Sequence, residues 1–235
     1  MERLVSMLRT EIPPGTCLEI GIGTGRIALP LADAGVSIVG IDISREMLRR
    51  LMSKAGTNPP PVAVADATRL PFRDASFDSA IASHVFHLIP RWTTAIDELA
   101  RVLKPGGLIF AARGGRRPDE WARELIRRFY AEAGESPGVP GADKIEEVDE
   151  HMLARGATVR ELPTLSVETS SSVNDLLENL EAGYWSACWS LDEATRKRAA
   201  IVARAWAEAA LGDLDEQRPH SELTIWHTYE LGQQR

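Results

Sequence analysis

Short apolar runs alternate with amphipathic stretches along the first half of the chain, which predicts repeated strand–helix–strand units. Five apolar runs predict strands, and these are Cys17–Ile20, Val36–Ile41, Val62–Ala65, Ser79–Ala82 and Leu108–Ala112. Apolar residues at helical spacing predict helices between them, at Thr24–Ala34, after Ser44 and at Trp92–Leu103. Because strands joined by helices form parallel sheets, we expect an α/β fold with a doubly wound, mostly parallel sheet and helices on both faces.

The second half of the chain is richer in helical patterns. The predicted helices are Pro118–Ala133, Ile145–Arg155, Val173–Gly183 and Glu193–Leu211. The last of these carries one apolar stripe, made of Ala199, Val202, Ala203, Trp206 and Ala210. Alternating apolar residues predict two more strands, one at Leu165 and Val167 and one at Leu223–Leu231. We expect these two strands to complete the sheet.

A glycine turn follows the first predicted strand, in the segment Glu19-Ile-Gly-Ile-Gly-Thr-Gly-Arg26. Glycines let the backbone approach a ligand closely, and a following helix N-terminus offers free N–H groups, so the pattern is typical of a nucleotide site. A tight turn without a ligand is the alternative. Arg26 stands where the dinucleotide pattern Gly-x-Gly-x-x-Gly has its third glycine, which argues against NAD.

Polar residues stand at or near the ends of four successive predicted strands: Glu19, Asp42, Asp66 and Ser83. In doubly wound sheets, ligands bind outside the carboxyl ends of the strands, so we expect these residues to converge on one crevice. A carboxylate at Asp42 can accept from both hydroxyls of a ribose, and one at Asp66 can accept from an adenine amine. The alternatives are helix caps or turn residues for Asp42 and Asp66, and a carboxylate paired with a nearby arginine for Glu19.

Composition narrows the classes of function. The chain has 235 residues, is 44% hydrophobic and 26% charged, and has a formal net charge of −7, which argues against a global nucleic-acid footprint. Neither a signal peptide nor a membrane-spanning run is found, so a cytoplasmic protein is expected. The two cysteines, Cys17 and Cys188, are expected to be unpaired, and no Cys/His cluster has zinc spacing, so we expect no metal.

The segments described above, together with Asp66-Ala-Thr-Arg-Leu-Pro-Phe72 and Glu98-Leu-Ala-Arg-Val-Leu-Lys-Pro-Gly-Gly107, resemble the class I S-adenosylmethionine-dependent methyltransferases. The resemblance covers about residues 16 to 112 and is closest to the small-molecule, ubiquinone/menaquinone biosynthesis-like branch (methyltransferase type 11). It implies a Rossmann-like sheet of seven strands whose last strand is antiparallel. The implied cofactor is S-adenosyl-L-methionine, with S-adenosyl-L-homocysteine as product.

The resemblance also implies roles for particular residues. Gly21, Gly23 and Gly25 would line the methionine and ribose end of the cofactor, beside Glu19, and Arg26 would pair with its carboxylate. Asp42 would hold the ribose hydroxyls, while Ile43 and Met47 would pack against the adenine. Asp66 and Ala67 would meet the adenine edge, and Ser83 would face the methionine part. His84 and His87 are candidate general bases, with pocket-wall histidines as the alternative.

We therefore expect one domain over residues 1–235, with residues 1–112 as the cofactor-binding half and residues 113–235 as the remaining strands and a helical cover. A separate C-terminal domain is the alternative. The expected function is methyl transfer to a small-molecule acceptor by in-line displacement. The other hypotheses are a non-catalytic cofactor-binding protein on the same fold and a nicotinamide-dependent oxidoreductase. The chain would be a monomer or a homodimer.

Three further segments leave alternatives open. The arginines Arg113, Arg116, Arg117, Arg123, Arg127 and Arg128 favour a solvated, ion-paired helix, with an anionic or RNA acceptor as the alternative. Tyr184, Trp185 and Trp189 are interpreted as core residues, with an acceptor pocket as the alternative. Leu4, Val5 and Leu8 predict one or two amphipathic turns. Few residues precede the first strand, so a short lid, a partner subunit or the C-terminal helices are expected to cover the site.

Overall fold

The computed structural model describes residues 1–56, 59–116, 119–135 and 138–232. Their contacts divide the chain into two compact units. The first contains residues 1–113, 140–165 and 224–235, and the second contains residues 114–139 and 166–223. Arg117 and the predicted helix start at Pro118 lie outside the described residues.

The elements alternate along the first half of the chain as the sequence predicts. The helices are α1 (Glu2–Glu11), α2 (Ala28–Asp33), α3 (Arg45–Lys54), α4 (Trp92–Val102), α5 (Glu120–Ala133), α6 (Ile145–Ala154), α7 (Val173–Ala182) and α8 (Glu193–Leu211). The strands are β1 (Thr16–Ile20), β2 (Ser37–Asp42), β3 (Val62–Val64), β4 (Phe77–Ser83), β5 (Leu103–Arg116), β6 (Thr158–Glu161), β7 (Leu165–Ser171) and β8 (Arg218–Glu230). Short 3₁₀ helices lie at Phe86–Leu88 and Ser186–Cys188.

The sheet of the first unit has the strand order β3-β2-β1-β4-β5-β8-β6. Strands β1 to β5 pair with one another in parallel, and β8 runs antiparallel to both β5 and β6. The predicted doubly wound sheet with an antiparallel last strand is therefore confirmed. The strand order reverses between β1 and β4, and the crevice outside such a switch point is where this architecture binds ligands.

Both faces of this sheet are covered. Leu18, Ala80 and Ala82 belong to one buried cluster, whereas Cys17 and Ile81 belong to another. Since alternate residues of a strand point to opposite faces, the two clusters are the two sides of the sheet. Burial on both sides explains why these strands read as continuous apolar runs.

Helix α2 begins at Ala28 rather than at Thr24, so the predicted helix start is wrong. Gly23 and Gly25 have φ values of +55° and +79°, which belong to a left-handed turn and not to a helix. The amide N–H of Gly25 donates to the carbonyl oxygen of Ile22 at 3.0 Å, which closes that turn. The glycine turn is therefore longer than the sequence pattern indicates.

The sheet contains one strand that the sequence does not predict. The segments at Leu165 and Leu223–Leu231 are predicted to complete the sheet, but β8 pairs on the sheet path with β6, where Val159 lies opposite Tyr229. Strand β6 is short and mostly exposed, so it lacks the apolar run on which strand prediction depends. The segment at Leu165 does form a strand, β7, which pairs with β8 off the main path.

Strand β5 begins at Leu103, five residues before its predicted start at Leu108. The predicted helix ends at Leu103 and the predicted strand begins at Leu108, which leaves residues 104–107 as the connection between them. Instead, α4 ends at Val102 and the following residues join β5, with an irregularity in its pairing with β4 between Phe77 and Ser79.

The second unit has a core formed by α5, α7 and α8, in which Leu125, Phe129 and Leu177 are fully buried. The predicted stripe on α8 is confirmed in part, because Ala199 and Ala203 are fully buried and Trp206 packs against this core. Val202 is 43% exposed, and Ala200 and Ala207 are buried instead. A run of alanines gives little hydrophobic contrast between faces, so the sequence pattern does not fix the exact rotation of the helix.

The aromatic segment of the second unit is not core. Tyr184 is 74% exposed, Trp189 is 62% exposed and Trp185 is 37% exposed, so the core interpretation is wrong.

Arg127 and Arg128 pair with Glu124 on α5, as expected for a solvated helix. Both cysteines are buried and free. No helix among the described residues is long and apolar enough to span a membrane.

Candidate functional site

Strand register brings the predicted site residues to one edge of the sheet in the first unit. Glu19 pairs with Gly40, so Asp42 follows two residues later on β2, and Asp42 itself pairs with Val64 at the end of β3. Ser83 is the last residue of β4. Residues that are up to 64 positions apart in sequence, from Glu19 to Ser83, thus share the carboxyl edge.

The glycines of this turn are needed for different structural reasons. Gly21, Gly23 and Gly25 all have positive φ. A Cβ on Gly21 would lie 2.4 Å from Cγ2 of Val85, so this glycine is required by packing. A Cβ on Gly23 would meet nothing nearer than the carbonyl oxygen of Gly21 at 3.9 Å. Gly23 therefore faces open space and is the position where a ligand can approach the backbone.

Asp42 holds the turn and the next helix together. Its Oδ2 accepts from the N–H of Gly23 at 2.8 Å, and its Oδ1 accepts from the N–H of Ser44 at 2.8 Å. Ser44 in turn caps α3, because its hydroxyl accepts from the N–H of Met47. Each carboxylate oxygen can accept two hydrogen bonds, so both oxygens of Asp42 keep acceptor capacity for a ligand.

Glu19 is buried on β1, two residues before Gly21. It is only 2% exposed, and its Oε2 has no hydrogen-bond partner among the residues that the structure describes. Burial raises the pKa of Glu19 to about 8, the charge of Arg26 acts in the opposite direction, and Asp42 adds to the increase. A buried carboxyl with a free oxygen is costly, so it calls for a partner that the described residues do not supply.

Arg26 lies at the end of the turn and contacts β4. Its guanidinium donates to Oγ of Ser83 at 3.3 Å, which links the two strands on either side of the switch point. The side chain of Arg26 is exposed. Arg26 is an exposed cation beside the end of β4, available to an anionic ligand group.

The residues expected around an adenine form the next part of the edge. Ile43 is 73% exposed although it is a large apolar residue, and Ala67 is buried. Oδ1 of Asp66 accepts from both the N–H and the hydroxyl of Thr68, which lowers the pKa of Asp66. Asp66 therefore acts as a turn residue, which is the alternative role that the sequence left open. Its second carboxylate oxygen remains available. Met47 is partly buried on α3.

His84 and His87 follow β4 directly. His84 has a φ of +52°, a left-handed conformation that is rare outside glycine. Burial, with the positive charges of Arg26 and Arg113, lowers the pKa of His84 to about 4. Burial and Arg113 lower the pKa of His87 to about 4 as well. Both imidazoles are therefore neutral near pH 7 and weak as bases.

The sequence interpretation missed the segment at residues 140–144. The N–H of Gly141 donates to the carbonyl oxygen of His87 at 3.0 Å, and Asp143 pairs with Arg113 at 2.8 Å. A Cβ on Gly141 would lie 2.0 Å from the carbonyl oxygen of Phe86, so only glycine fits there. The only signal in the sequence was a Pro/Gly-rich break, which does not identify its neighbours.

The fold and this edge define a class of protein: a Rossmann-like sheet with a glycine turn after the first strand and carboxylates at the next two strand ends. Residues 18–111 match the family model described as a methyltransferase domain. These residues, which make up less than half of the chain, are therefore similar to a methyltransferase domain.

Individual proteins similar to the chain include methyltransferases. The chain is 38% identical over 135 residues to the malonyl-[acyl-carrier protein] O-methyltransferase of Geobacter sulfurreducens, a match covering 56% of this chain and 49% of that protein. It is 38% identical over 97 residues to the demethylmenaquinone methyltransferase of Streptomyces avermitilis, covering 41% of each. The chain thus spans about half the length of the curated relatives it matches. The YcgJ protein of Bacillus subtilis has the same fold, with a TM-score of 0.68, 18% identity and full coverage of both chains.

Proposed function

We propose that the chain binds S-adenosyl-L-methionine at this edge and transfers its methyl group to a small-molecule acceptor, as an enzyme of class 2.1.1. The observation that carries the proposal is Glu19, a buried carboxyl with an unpartnered oxygen, among the described residues, two residues before an open glycine turn. The ammonium group of a methionine moiety is the kind of partner that such a carboxyl requires.

The remaining residues fit the other parts of the same cofactor. Asp42 has one free acceptor position on each oxygen, which suits two adjacent ribose hydroxyls. Arg26 would pair with the cofactor carboxylate beside Ser83. Exposed Ile43, with Met47 and Ala67, offers an apolar surface to an adenine, and the second oxygen of Asp66 suits its amine. Gly21 and Gly25 shape the turn, and Gly23 leaves the space for the ligand.

The chemistry places modest demands on the protein. When bound, S-adenosylmethionine supplies a methyl group that the sulfonium charge already activates. The task of the chain is to hold the acceptor in line with it and to exclude water, and positioning of this kind contributes about 7–11 kcal/mol in favourable cases. The relatives' names include an O-methyltransferase and a demethylmenaquinone methyltransferase, which supports a small-molecule acceptor.

The proposal is tested by calorimetry on the purified chain with S-adenosylmethionine and with NAD. We expect binding of S-adenosylmethionine and no binding of NAD. Transfer of a labelled methyl group to members of an acceptor panel would then distinguish an enzyme from a protein that only binds the cofactor. Preferential binding of NAD would contradict the assignment of the site.

A pair of glycine variants separates packing from ligand approach. Gly23→Ala should cost about 1–2 kcal/mol of stability, from its left-handed φ, and should weaken cofactor binding by about tenfold or more, because the methyl group occupies open ligand space. Gly21→Ala should unfold at clearly lower urea concentration than Gly23→Ala, because its Cβ meets Val85. Urea unfolding and calorimetry measure the two effects.

Gly35→Ala is the matched control for Gly23→Ala. Gly35 has a φ of +87°, a Cβ added to it would have no atom within 4 Å, and it follows α2 at the other end from the turn. The control should show the same backbone cost with unchanged cofactor affinity. If Gly23→Ala bound the cofactor as well as Gly35→Ala does, the ligand would not approach the backbone at Gly23.

A further inference from the structure

Three segments of the first unit meet just beyond the end of β4. Ser83 pairs with Ala112 of β5, and the N–H of His84 donates to the carbonyl oxygen of Ala112 at 2.9 Å. The carbonyl of His87 accepts from Gly141, which belongs to the third segment. His84, His87 and Arg113 are therefore neighbours, close to the residue expected to face the methionine moiety.

The backbone of His84 is strained. A left-handed φ costs a non-glycine residue about 1–2 kcal/mol, and asparagine or glycine would avoid much of it. Backbone strain of this kind persists where the surroundings impose it and is concentrated at functional sites. A histidine in this conformation presents its imidazole directly after the strand that ends at Ser83.

His87 carries an unfulfilled hydrogen-bonding group. The residue is 7% exposed, and its Nδ1 has no hydrogen-bond partner within the described ranges. Leaving such a group unpaired costs about 1–3 kcal/mol. The backbone beside His87 packs closely against Gly141, where an added Cβ would lie 2.0 Å from the carbonyl oxygen of Phe86. A ligand atom would satisfy Nδ1 of His87.

Arg113 is fixed in position with donors to spare. Its Nε donates to the carbonyl oxygen of Asp143 at 2.7 Å and its Nη2 donates to Oδ1 of the same residue at 2.8 Å. The guanidinium has five N–H donors in a rigid fork, so three remain after these contacts. The Arg113 side chain is 27% exposed, which keeps part of it accessible to a ligand.

The charges around the two imidazoles favour a negatively charged ligand. Arg26 and Arg113 both act on His84, and Arg113 acts on His87 together with the acid Asp143. Because both pKa values are lowered to about 4, neither imidazole is suited to remove a proton from an alcohol or an amine near neutral pH. Neutral imidazole still has one N–H donor, which an anion can use.

We propose that His84, His87 and Arg113 form a subsite for a carboxylate of the acceptor, and that this carboxylate receives the methyl group. The proposal rests on the proposed function above and specifies its acceptor. A carboxylate is ionised near neutral pH, so it needs no general base. Its oxygen forms the new bond to the methyl carbon, and the electron pair of the breaking carbon–sulfur bond goes to sulfur. The products are a methyl ester and a neutral thioether, and no proton is released.

The binding experiment uses pairs of carboxylates and their neutral amides, such as benzoate with benzamide and octanoate with octanamide, on the protein loaded with S-adenosylhomocysteine. Labelled imidazoles are followed by NMR. We expect the carboxylates to shift the signals of His84 and His87 and to raise the pKa of both, because an anion offsets the positive surroundings. Amides should have no such effect. Equal shifts by both, or no response to any carboxylate, would overturn the proposal.

Arg113→Gln is expected to weaken carboxylate binding by about tenfold or more, since hydrogen bonds to charged groups are the strong ones. The matched control is Arg127→Gln, which removes an arginine paired with Glu124 on the solvated helix α5. Calorimetry with S-adenosylmethionine on the same samples separates the two hypotheses. If the cofactor binds but carboxylates do not, only the acceptor class is wrong; if the cofactor does not bind, the proposed function is wrong.

Product chemistry gives a second test that does not depend on a variant. Any acceptor that takes up a labelled methyl group is treated with alkali. A methyl ester releases volatile labelled methanol, whereas methyl ethers, methylamines and C-methyl groups keep the label. We expect alkali-labile label. Transfer solely to alkali-stable positions would overturn the proposal.

Discussion

Asp42→Ala is expected to weaken binding of S-adenosylmethionine by about tenfold to a hundredfold, because hydrogen bonds to a charged group contribute ~1.5–3 kcal/mol. The variant loses two functions at once. It removes the acceptor proposed for the ribose hydroxyls, and it releases the N–H groups of Gly23 and Ser44 that the carboxylate holds at 2.8 Å. Calorimetry measures the loss.

Asp42→Asn separates the two causes of this effect, and Asp33→Ala is the control. Asp42→Asn keeps one amide oxygen, so it can hold Gly23 or Ser44 but not both, and its affinity should lie between those of the wild type and Asp42→Ala. Asp33→Ala removes an exposed carboxylate at the end of α2 and should leave affinity unchanged. An unchanged affinity in Asp42→Ala would show that this carboxylate does not contact the cofactor.

The parallel half of the fold follows from sequence because its strands are buried on both faces. Burial on both sides requires continuous apolar runs, and these are visible in the chain at Leu18, Ile41 and Ile81. Strand β6 escapes prediction for the opposite reason, since its residues are mostly exposed and its place depends on pairing with β8. Pairing between distant segments leaves no local pattern.

The candidate site at this edge of the sheet is also encoded locally. Glu19, Asp42 and Asp66 each lie at or near the end of an apolar run, so their order alone indicates that they converge. The hydrogen bonding of these carboxylates could not be predicted from the sequence. The free oxygen of Glu19, seen within the described part of the chain, and the two hydrogen bonds that Asp42 accepts from Gly23 and Ser44 emerge only from the packed structure.

His84 and His87 show most clearly which properties of the site could not be predicted from the sequence. The sequence makes His84 and His87 candidates as general bases because an unperturbed imidazole titrates near neutral pH. In the fold, burial and the charges of Arg26 and Arg113 make them weak bases. In sequence Arg113 belongs to a run of arginines typical of a solvated helix, but the structure places it on β5, directly after Ala112, where it pairs with Asp143.

The second large expected effect is the release of a proton from Glu19 when the cofactor binds. In the free protein its pKa is about 8, so the carboxyl is protonated at about pH 6.5. If the cofactor ammonium pairs with Glu19, the charged form is favoured and the proton leaves on binding. Calorimetry in buffers of different ionisation enthalpy should therefore show release of nearly one proton per site.

Glu19→Gln should bind without this proton release, because the amide does not titrate. Glu46→Gln, on α3, replaces a partly exposed glutamate that pairs with Arg50, and it should behave as the wild type. If Glu19→Gln released the same proton as the wild type, Glu19 would not be its source and the cofactor ammonium would lie elsewhere.

The same group should govern the pH dependence of stability without cofactor. A carboxyl whose pKa is raised on folding stabilises the folded protein while it is protonated, and this stability is lost as pH rises towards the folded pKa. From the ordinary value of 4.5 to about 8, each pH unit costs at most about 1.4 kcal/mol. Urea unfolding should therefore show stability falling across this range in the wild type. Glu19→Gln should lose that slope and be the more stable of the two at pH above about 8. An equal slope in both proteins would mean that Glu19 is not buried as the structure shows.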